Sequence, residues 1–125
     1  MKVFVLITAV IELLAGVAMI FMPHLIPDFA EADALSNTLS RMYGAAAIGL
    51  GFFALQTWLH MPSQVLQKAF LQTFLVFHIG VAAAGYWGFS NDGFEDSSVA
   101  ILHLVLALVT AYFYFGKRNT EVNNG

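Results

Sequence analysis

The chain has no cysteine, and only 10% of its 125 residues are charged. The absence of cysteine excludes disulfides, thiolate metal sites, iron–sulfur clusters and thiol redox chemistry. Soluble domains carry about 25% charged residues, so a soluble bundle of this length would lack the polar residues to cover its outer faces. Basic residues are also few, five against eight acidic ones, and they form no long run. This argues against binding to nucleic acid. These deficits together indicate a membrane protein.

Apolar residues make up 59% of the chain and are gathered into four long segments. A helix needs about 20 mostly apolar residues to cross a bilayer. The segments run over residues 3–22, 42–59, 69–88 and 99–115. The first is too long for a signal-peptide core and carries Glu12, so we expect it to be retained in the protein. The sequence therefore predicts an all-α membrane bundle of four helices, antiparallel to their neighbours, in a single domain.

Basic residues between the segments predict the orientation of the bundle. Those on the side of the two termini and the second loop are Lys2, Lys68, Lys117 and Arg118. Arg41 is the one basic residue on the opposite side. Because cytoplasmic loops of membrane proteins are enriched in lysine and arginine, we expect both termini to be cytoplasmic. The acidic residues of the two outer loops agree with this, and they are Asp28, Glu31, Asp33, Asp92, Glu95 and Asp96.

Two ionisable residues are predicted near the middle of the bilayer. Glu12 and His78 each lie ten positions before the outer end of their segment, at a depth of about 15 Å for a rise of 1.5 Å per residue. A charge at a helix centre costs about 2.5–3.5 kcal/mol on insertion scales, so both side chains should face protein or water. Their equal depth makes them candidate partners. The alternative for Glu12 is a neutral glutamic acid, with Thr8 on the same face, that serves packing alone.

Three further residues complete a predicted polar cavity. His103 lies about 8 Å inside the fourth segment, roughly one helical turn above the other two ionisable residues. Arg41 stands at the outer boundary of the second segment. It either snorkels to the interface or, if its helical stripe faces inward, covers the mouth of the cavity. Tyr43 is a weaker candidate for the lining. The predicted ligand-binding residues are Glu12, Arg41, Tyr43, His78 and His103.

Familiar cofactor sites fit this spacing poorly. Bis-histidine haem needs two histidines at one level on facing helices, whereas His78 and His103 differ by about 7 Å in predicted depth. A site of two histidines and one carboxylate uses the right residue types, but the same offset works against it. No HExxH, Glu-x-x-His or P-loop pattern occurs in the chain. The sequence thus predicts no metal and identifies no cofactor.

Small residues four positions apart predict close packing of the helices, because lipid supplies no hydrophobic force between them. The pairs are Ala45/Gly49, Ala47/Gly51, Gly80/Ala84 and Ala107/Ala111. Faces of this kind also suit a homo-oligomer.

The second segment opens with Arg41-Met42-Tyr43-Gly44 and continues as a glycine-rich helix. In this feature, in length and in span count, the chain resembles the small four-helix bacterial inner-membrane proteins grouped as DoxX-like. The resemblance covers the whole chain and implies a multi-pass protein of the bacterial inner membrane. The group's link to quinone-coupled oxidation slightly favours a function as a quinone-linked oxidoreductase subunit. No catalytic residue can be carried over from it.

Three functions are consistent with these residues, and the sequence favours the first. It is a binding or proton-handling protein, whose cavity receives a small amphipathic ligand or protons. The second is a structural or accessory subunit of a membrane complex, whose buried polar residues lock the bundle. The third is an oxidoreductase subunit with a quinone or lipid substrate, in which His78 or Glu12 accepts a proton.

Overall fold

The computed structural model describes residues 1–22, 34–91 and 97–122, with the side chains of residues 34–35 and 117–122 left aside. The described residues form four helices: α1 (Lys2–Phe21), α2 (Ala34–Leu59), α3 (Gln64–Asn91) and α4 (Ser98–Val122). The predicted all-helical class and the number of helices are confirmed. The acidic residues of the two predicted outer loops lie outside the described residues, as do the side chains of Lys117 and Arg118.

All four helices contain a stretch that is long and apolar enough to cross a bilayer. These stretches are Lys2–Phe21, Ser36–Leu59, Gln64–Asn91 and Ser98–Gly116. The largest difference from the predicted segments is in α2, which begins at residue 34 instead of residue 42. Its first turns are rich in serine, asparagine and threonine, which lower the mean hydropathy but are compatible with a helix. Arg41 therefore lies about two turns inside α2 and does not mark its start.

The chain divides into two compact units, Met1–Ser63 and Gln64–Gly125. In the first unit α1 packs against α2, and in the second α3 packs against α4. Each unit is thus a hairpin of two helices. We call them the first and the second hairpin. That the chain forms a single membrane domain stays a prediction.

The helices of the first hairpin meet at backbone distance. A Cβ atom on Gly16 would lie 2.7 Å from the carbonyl oxygen of Gly44, and one on Gly44 would lie 2.8 Å from that of Gly16. A Cβ atom on Gly51 would be equally close to the Leu13 side chain, at 2.7 Å. The residues of α2 that face α1, here called the seam, recur every three or four positions, as one face of a helix must. Its buried residues are Ser40, Gly44, Ala47, Gly51, Ala54 and Thr57.

The helices of the second hairpin pack mainly through side chains. Phe70 and Phe74 are fully buried, with ring centroids 4.4 Å apart. The two helices approach each other closely near the end of α3 and the start of α4, where a Cβ atom on Gly85 would lie 3.2 Å from that of Ala100. Of the predicted small-residue pairs, Ala47/Gly51 lies in a seam. A Cβ atom at Gly49 or Gly80 would meet nothing within 4 Å, so the pairs of those two glycines lie outside the seams.

Candidate functional site

Two buried histidines meet in the second hairpin. His78 of α3 is fully buried and His103 of α4 is 9% exposed. Their Nδ1 atoms are 2.9 Å apart, a hydrogen-bond distance, and their ring centroids are separated by 5.1 Å. The structure therefore brings together two of the predicted site residues and makes them partners of each other.

The predicted difference in depth between the two histidines does not keep their rings apart. Because Gly85 faces Ala100, the antiparallel register places His103 opposite Ala82, about one helical turn from His78. The offset is thus close to the predicted one. The two rings meet nevertheless, because an imidazole extends several ångströms from its backbone and two such side chains can bridge one turn.

Phenylalanine rings surround the histidine pair. The Phe77 ring centroid lies 5.3 Å from that of His78 and 5.7 Å from that of His103. The Phe74 centroid lies 5.5 Å from that of His78. These two rings place aromatic π-systems against both imidazoles. The sequence interpretation overlooked them, although Phe74 precedes His78 by one helical turn on the same face.

The hydrogen bond between the two Nδ1 atoms limits which ring nitrogens of a neutral pair carry protons. A neutral imidazole carries one N–H, so one ring donates from Nδ1 and the other accepts at Nδ1. The donor ring is then left with a bare Nε2 and the acceptor ring with an Nε2–H. The Nε2 atom of His78 is buried and has no hydrogen-bond partner among the described residues. A neutral pair thus has two proton arrangements, one for each choice of Nδ1 donor, and in both the Nε2 atom of His78 lacks a partner among the described residues.

The first hairpin contains the remaining predicted site residues. Glu12 is 3% exposed and lies on the face of α1 that carries Thr8 and Gly16, as expected from its helical spacing. Tyr43 is half-buried and lies within electrostatic range of the Glu12 carboxyl group. The expected contact between Glu12 and His78 would join residues of the two units and stays a prediction.

Arg41 lies beside the seam of the first hairpin. Its own helical stripe, which continues through Ala45, Gly49 and Phe52, is exposed in the structure. The seam begins one position earlier, at Ser40, whose hydroxyl donates to the Met19 carbonyl oxygen at 3.5 Å. The condition under which Arg41 would cover a cavity, an inward-facing stripe, is not met in the packing of α2 on α1. Because this packing concerns one hairpin alone, both roles of Arg41 stay predictions.

An apolar groove of about 530 Å³ runs along the second hairpin on the side of Gly85 and Ala100. Ile79 and Leu104, each next in sequence to a histidine of the pair, line it together with Ala83, Tyr86 and Ile101. The groove is nearly devoid of polar surface, so it suits a hydrocarbon chain better than a polar ligand.

Within residues 1–22, 34–91 and 97–122, no group of three or more histidine, cysteine, aspartate or glutamate residues is arranged to hold a metal ion. A bis-histidine haem places its ligands on opposite faces of the iron, whereas the two Nδ1 atoms are in direct contact. The pair as it stands fits a shared proton.

Comparison with known proteins adds no further assignment. No family model matches the chain, and neither a curated protein nor a solved structure is similar to it. The resemblance to DoxX-like proteins is therefore a prediction that rests on the sequence features alone.

Proposed function

We propose that the protein spans the bacterial inner membrane four times, with both termini in the cytoplasm, and that it takes up and passes protons at the His78–His103 pair. Four apolar helices of sufficient length support the spans, and the distribution of basic residues supports the orientation. The single observation that carries the proton-handling function is the buried hydrogen bond of 2.9 Å between two imidazoles. Ionisable residues within membrane spans commonly mark ion pathways and proton relays.

The pair can pass a proton by a balanced sequence of transfers. A proton binds to the bare Nε2 of the donor ring and makes that ring an imidazolium. The Nδ1 proton then crosses to the Nδ1 atom of the other ring, whose Nε2 proton is taken by a water molecule that reaches that ring. One proton has entered and one has left. Because the two rings have exchanged tautomers, both must exchange protons with water before the next proton enters at the same ring. Histidine is suited to this role because each neutral ring carries one N–H donor and one bare nitrogen that accepts a proton.

The surroundings of the pair support a direction for this transfer. In the proposed orientation, the end of α3 and the start of α4 face the outside, so His103 lies nearer the outer surface than His78. His103 also retains 9% exposure, whereas His78 is fully buried. His103 is therefore the entry ring in the proposal. The Phe77 ring, close to both imidazoles, would stabilise the charged intermediate by about 0.5–2 kcal/mol through a cation–π interaction.

Proton flux into liposomes tests the proposal. The purified protein is reconstituted with a pH-sensitive dye inside, and a potassium gradient with valinomycin drives protons inward. The wild-type protein should acidify the lumen faster than protein-free liposomes, and His78→Gln or His103→Gln should abolish the difference. The matched control is His60→Gln, because His60 is an exposed histidine bonded to the Gln56 carbonyl oxygen. Wild-type flux equal to that of empty liposomes would reject the relay and leave the pair with a structural role.

The orientation has its own test. A cysteine at Asn91 should react with a membrane-impermeant maleimide added to whole cells, and a cysteine at Asn119 should react only after the membrane is opened. The absence of native cysteine makes this labelling free of background. The reverse pattern would overturn the proposed orientation and the direction of transfer, but not the relay itself.

The apolar groove favours a second candidate function, the binding of an amphipathic ligand with a hydrocarbon tail. The groove lies within the spans and one end of it adjoins the residues next to the histidine pair. A ligand of this kind should copurify and be detectable by mass spectrometry. Ala83→Phe, which fills the groove, should reduce its retention. Ala84→Phe is the control, since Ala84 is exposed but does not line the groove. Equal retention by both variants would exclude the groove as the binding site.

A further inference from the structure

The hydrogen bond between His78 and His103 can hold at most one excess proton. Both rings contribute their Nδ1 atom to the bond, at a distance of 2.9 Å. Of the four ring nitrogens, two carry a proton in the neutral pair. A third proton fits on the bare Nε2 atom of the donor ring and leaves the bond intact. For a fourth, only the accepting Nδ1 atom remains, and two N–H groups then face each other. The bond is therefore lost when the second ring becomes charged.

The described side chains of the second hairpin do not compensate two positive charges at the pair. Both rings are buried, and the aromatic rings next to them belong to Phe74 and Phe77. No aspartate or glutamate is among the side chains that the structure describes in this hairpin. The other ionisable side chains described there are Lys68, Tyr86, Tyr112 and Tyr114. The first three are exposed, and the Tyr114 hydroxyl accepts a hydrogen bond from Gln72. Two imidazolium rings would therefore repel each other without a counter-charge from their own hairpin.

Other contacts hold α3 and α4 together on both sides of the pair. Toward the end of α4, the buried Phe70 fills the space between the helices. Toward the start of α4, Gly85 packs closely against Ala100. The two rings can thus separate without dissociation of the whole hairpin. His103 retains 9% exposure and His78 has none, so the His103 ring is the one that can turn out of the space between the helices.

We propose that the His78–His103 pair is an acid-sensitive clasp between α3 and α4, which stays closed with one excess proton and opens when both rings are charged. Opening also stops transfer from ring to ring, but the clasp does not rest on the proposed relay, because a pair that passes no protons would open in the same way. Histidines of an unfolded chain become charged near pH 6.5. The stability that the closed clasp contributes is therefore fully present above that pH and is lost as the pH falls below it.

Thermal unfolding of the full-length protein in detergent tests the clasp. The midpoint is measured from about pH 8, where histidine is neutral, to about pH 4, where it is ordinarily charged. The wild-type midpoint should fall in acid by about 5 °C or more beyond that of the double variant His78→Leu/His103→Leu. The double variant has neither ring, so its remaining loss in acid comes from the rest of the chain. An equal loss in both proteins would overturn the clasp.

Single variants distinguish a clasp from two independent buried histidines. Asparagine places its amide oxygen near the position of an imidazole Nδ1 atom, where it can accept a hydrogen bond from a charged ring opposite. His103→Asn should therefore remove most of the histidine-dependent loss in acid, although His78 remains, and His78→Asn should do the same. If His78→Asn does not fold, His103→Asn carries this comparison. Independent histidines would contribute additively, and a loss shared equally between the two positions would contradict the clasp.

Two control variants assign the acid response to the pair. His60→Asn removes an exposed histidine that is bonded to the Gln56 carbonyl oxygen, and it should keep the wild-type loss in acid. Glu12→Gln removes the buried carboxyl group of the first hairpin and should keep that loss as well. A Glu12→Gln variant without the acid response would assign it to the carboxyl group and overturn the clasp.

Hydrogen exchange of the wild-type protein locates the opening. After correction for the intrinsic rate at each pH, the backbone amides around His78 and His103 should lose protection in acid, whereas those of α1 should keep it. In His103→Asn, the amides around His78 should stay protected. Unchanged protection around both histidines of the wild-type protein at about pH 4, where histidine is ordinarily charged, would overturn the clasp. None of these results depends on proton flux, which is measured in liposomes.

Discussion

The first hairpin holds its helices together with glycine, whereas the second uses aromatic rings and a pair of histidines. In the first, the backbones of α1 and α2 approach so closely that a Cβ atom on Gly16 would overlap the Gly44 carbonyl. In the second, the fully buried Phe70 and Phe74 fill the space between α3 and α4. The polar groups differ accordingly. The buried ionisable side chains are one carboxyl group, from α1, in the first hairpin and one imidazole from each helix in the second.

The distance between two helices thus determines which polar side chains can meet between them. Where two backbones touch, little volume remains for a large polar side chain from each helix to meet. The one buried ionisable side chain of the described first hairpin, that of Glu12, accordingly comes from α1 alone. Where bulky side chains separate the helices, polar groups from both can converge, as His78 and His103 do.

The largest expected effect is on the glycine seam. Gly44→Leu would place a Cβ atom 2.8 Å from the Gly16 carbonyl oxygen and 2.9 Å from the Met19 Cβ atom. The two backbones would have to move apart, so we expect the free energy of unfolding to fall by about 3 kcal/mol or more. Denaturant unfolding in mixed micelles, followed by circular dichroism, measures this loss.

Gly49→Leu is the matched control on the same helix. A Cβ atom at Gly49 meets nothing within 4 Å, and leucine has a higher helix propensity than glycine by roughly 0.8 kcal/mol. This variant should therefore be neutral or slightly stabilising. Equal losses from Gly44→Leu and Gly49→Leu would mean that the first hairpin does not depend on close backbone approach.

A smaller effect is expected in the second hairpin, and it should be partly reversible. His78→Leu leaves the His103 Nδ1 atom without its partner, which costs about 1–3 kcal/mol for a buried polar group. The double variant with His103→Leu removes both polar groups, so it should be more stable than the sum of the single losses implies. A double-mutant cycle of unfolding free energies measures this coupling.

His60→Leu provides the reference for a histidine outside the pair and should change stability by no more than about 0.5 kcal/mol. Strict additivity of the two substitutions in the pair would indicate that the imidazoles do not interact. The same cycle on Gly16 and Gly44 should show no such recovery, because two added side chains only increase the overlap between the backbones.

The sequence was sufficient to predict the number of helices and the bounds of α1 to within one residue, because hydropathy reports directly on long apolar segments. It could not predict which small-residue pair of α2 lies in the seam. Ala45/Gly49 and Ala47/Gly51 have the same spacing, and only the position of α1 decides between them. It also placed Arg41 at a helix start, because the polar first turns of α2 are invisible to a hydropathy criterion.

The candidate site was predictable in its residues but not in its pairing. Depth counted along a helix axis identified Glu12, His78 and His103 as residues out of place in lipid. Such a count treats each side chain as a point on the helix axis. The contact of 2.9 Å between the Nδ1 atoms of the two histidines was therefore not predicted. The Thr8 hydroxyl is buried without a hydrogen-bond partner among the described residues. This could not be predicted, because the orientation of a threonine side chain depends on packing and not on sequence spacing.

In each hairpin a polar contact joins the two helices toward the end where α1 begins or α4 ends. In the first, the Lys2 ammonium lies 5.5 Å from the centroid of the Trp58 ring. In the second, the Gln72 side chain donates to the Tyr114 hydroxyl oxygen at 3.1 Å. Since neither contact is deeply buried, both should contribute far less than the seams.

The smallest expected effect compares these two contacts. Tyr114→Phe removes the acceptor of an exposed hydrogen bond, so the free energy of unfolding should fall by only about 0.5 kcal/mol. Lys2→Gln removes an exposed cation–π interaction, for which we expect a loss of about 0.5–1 kcal/mol. Tyr112→Phe is the control, because Tyr112 is 75% exposed and its ring contact with Phe113 survives the change. A loss above about 2 kcal/mol for Tyr114→Phe would contradict the comparison, since the second hairpin would then depend on its exposed end as much as on its histidine pair.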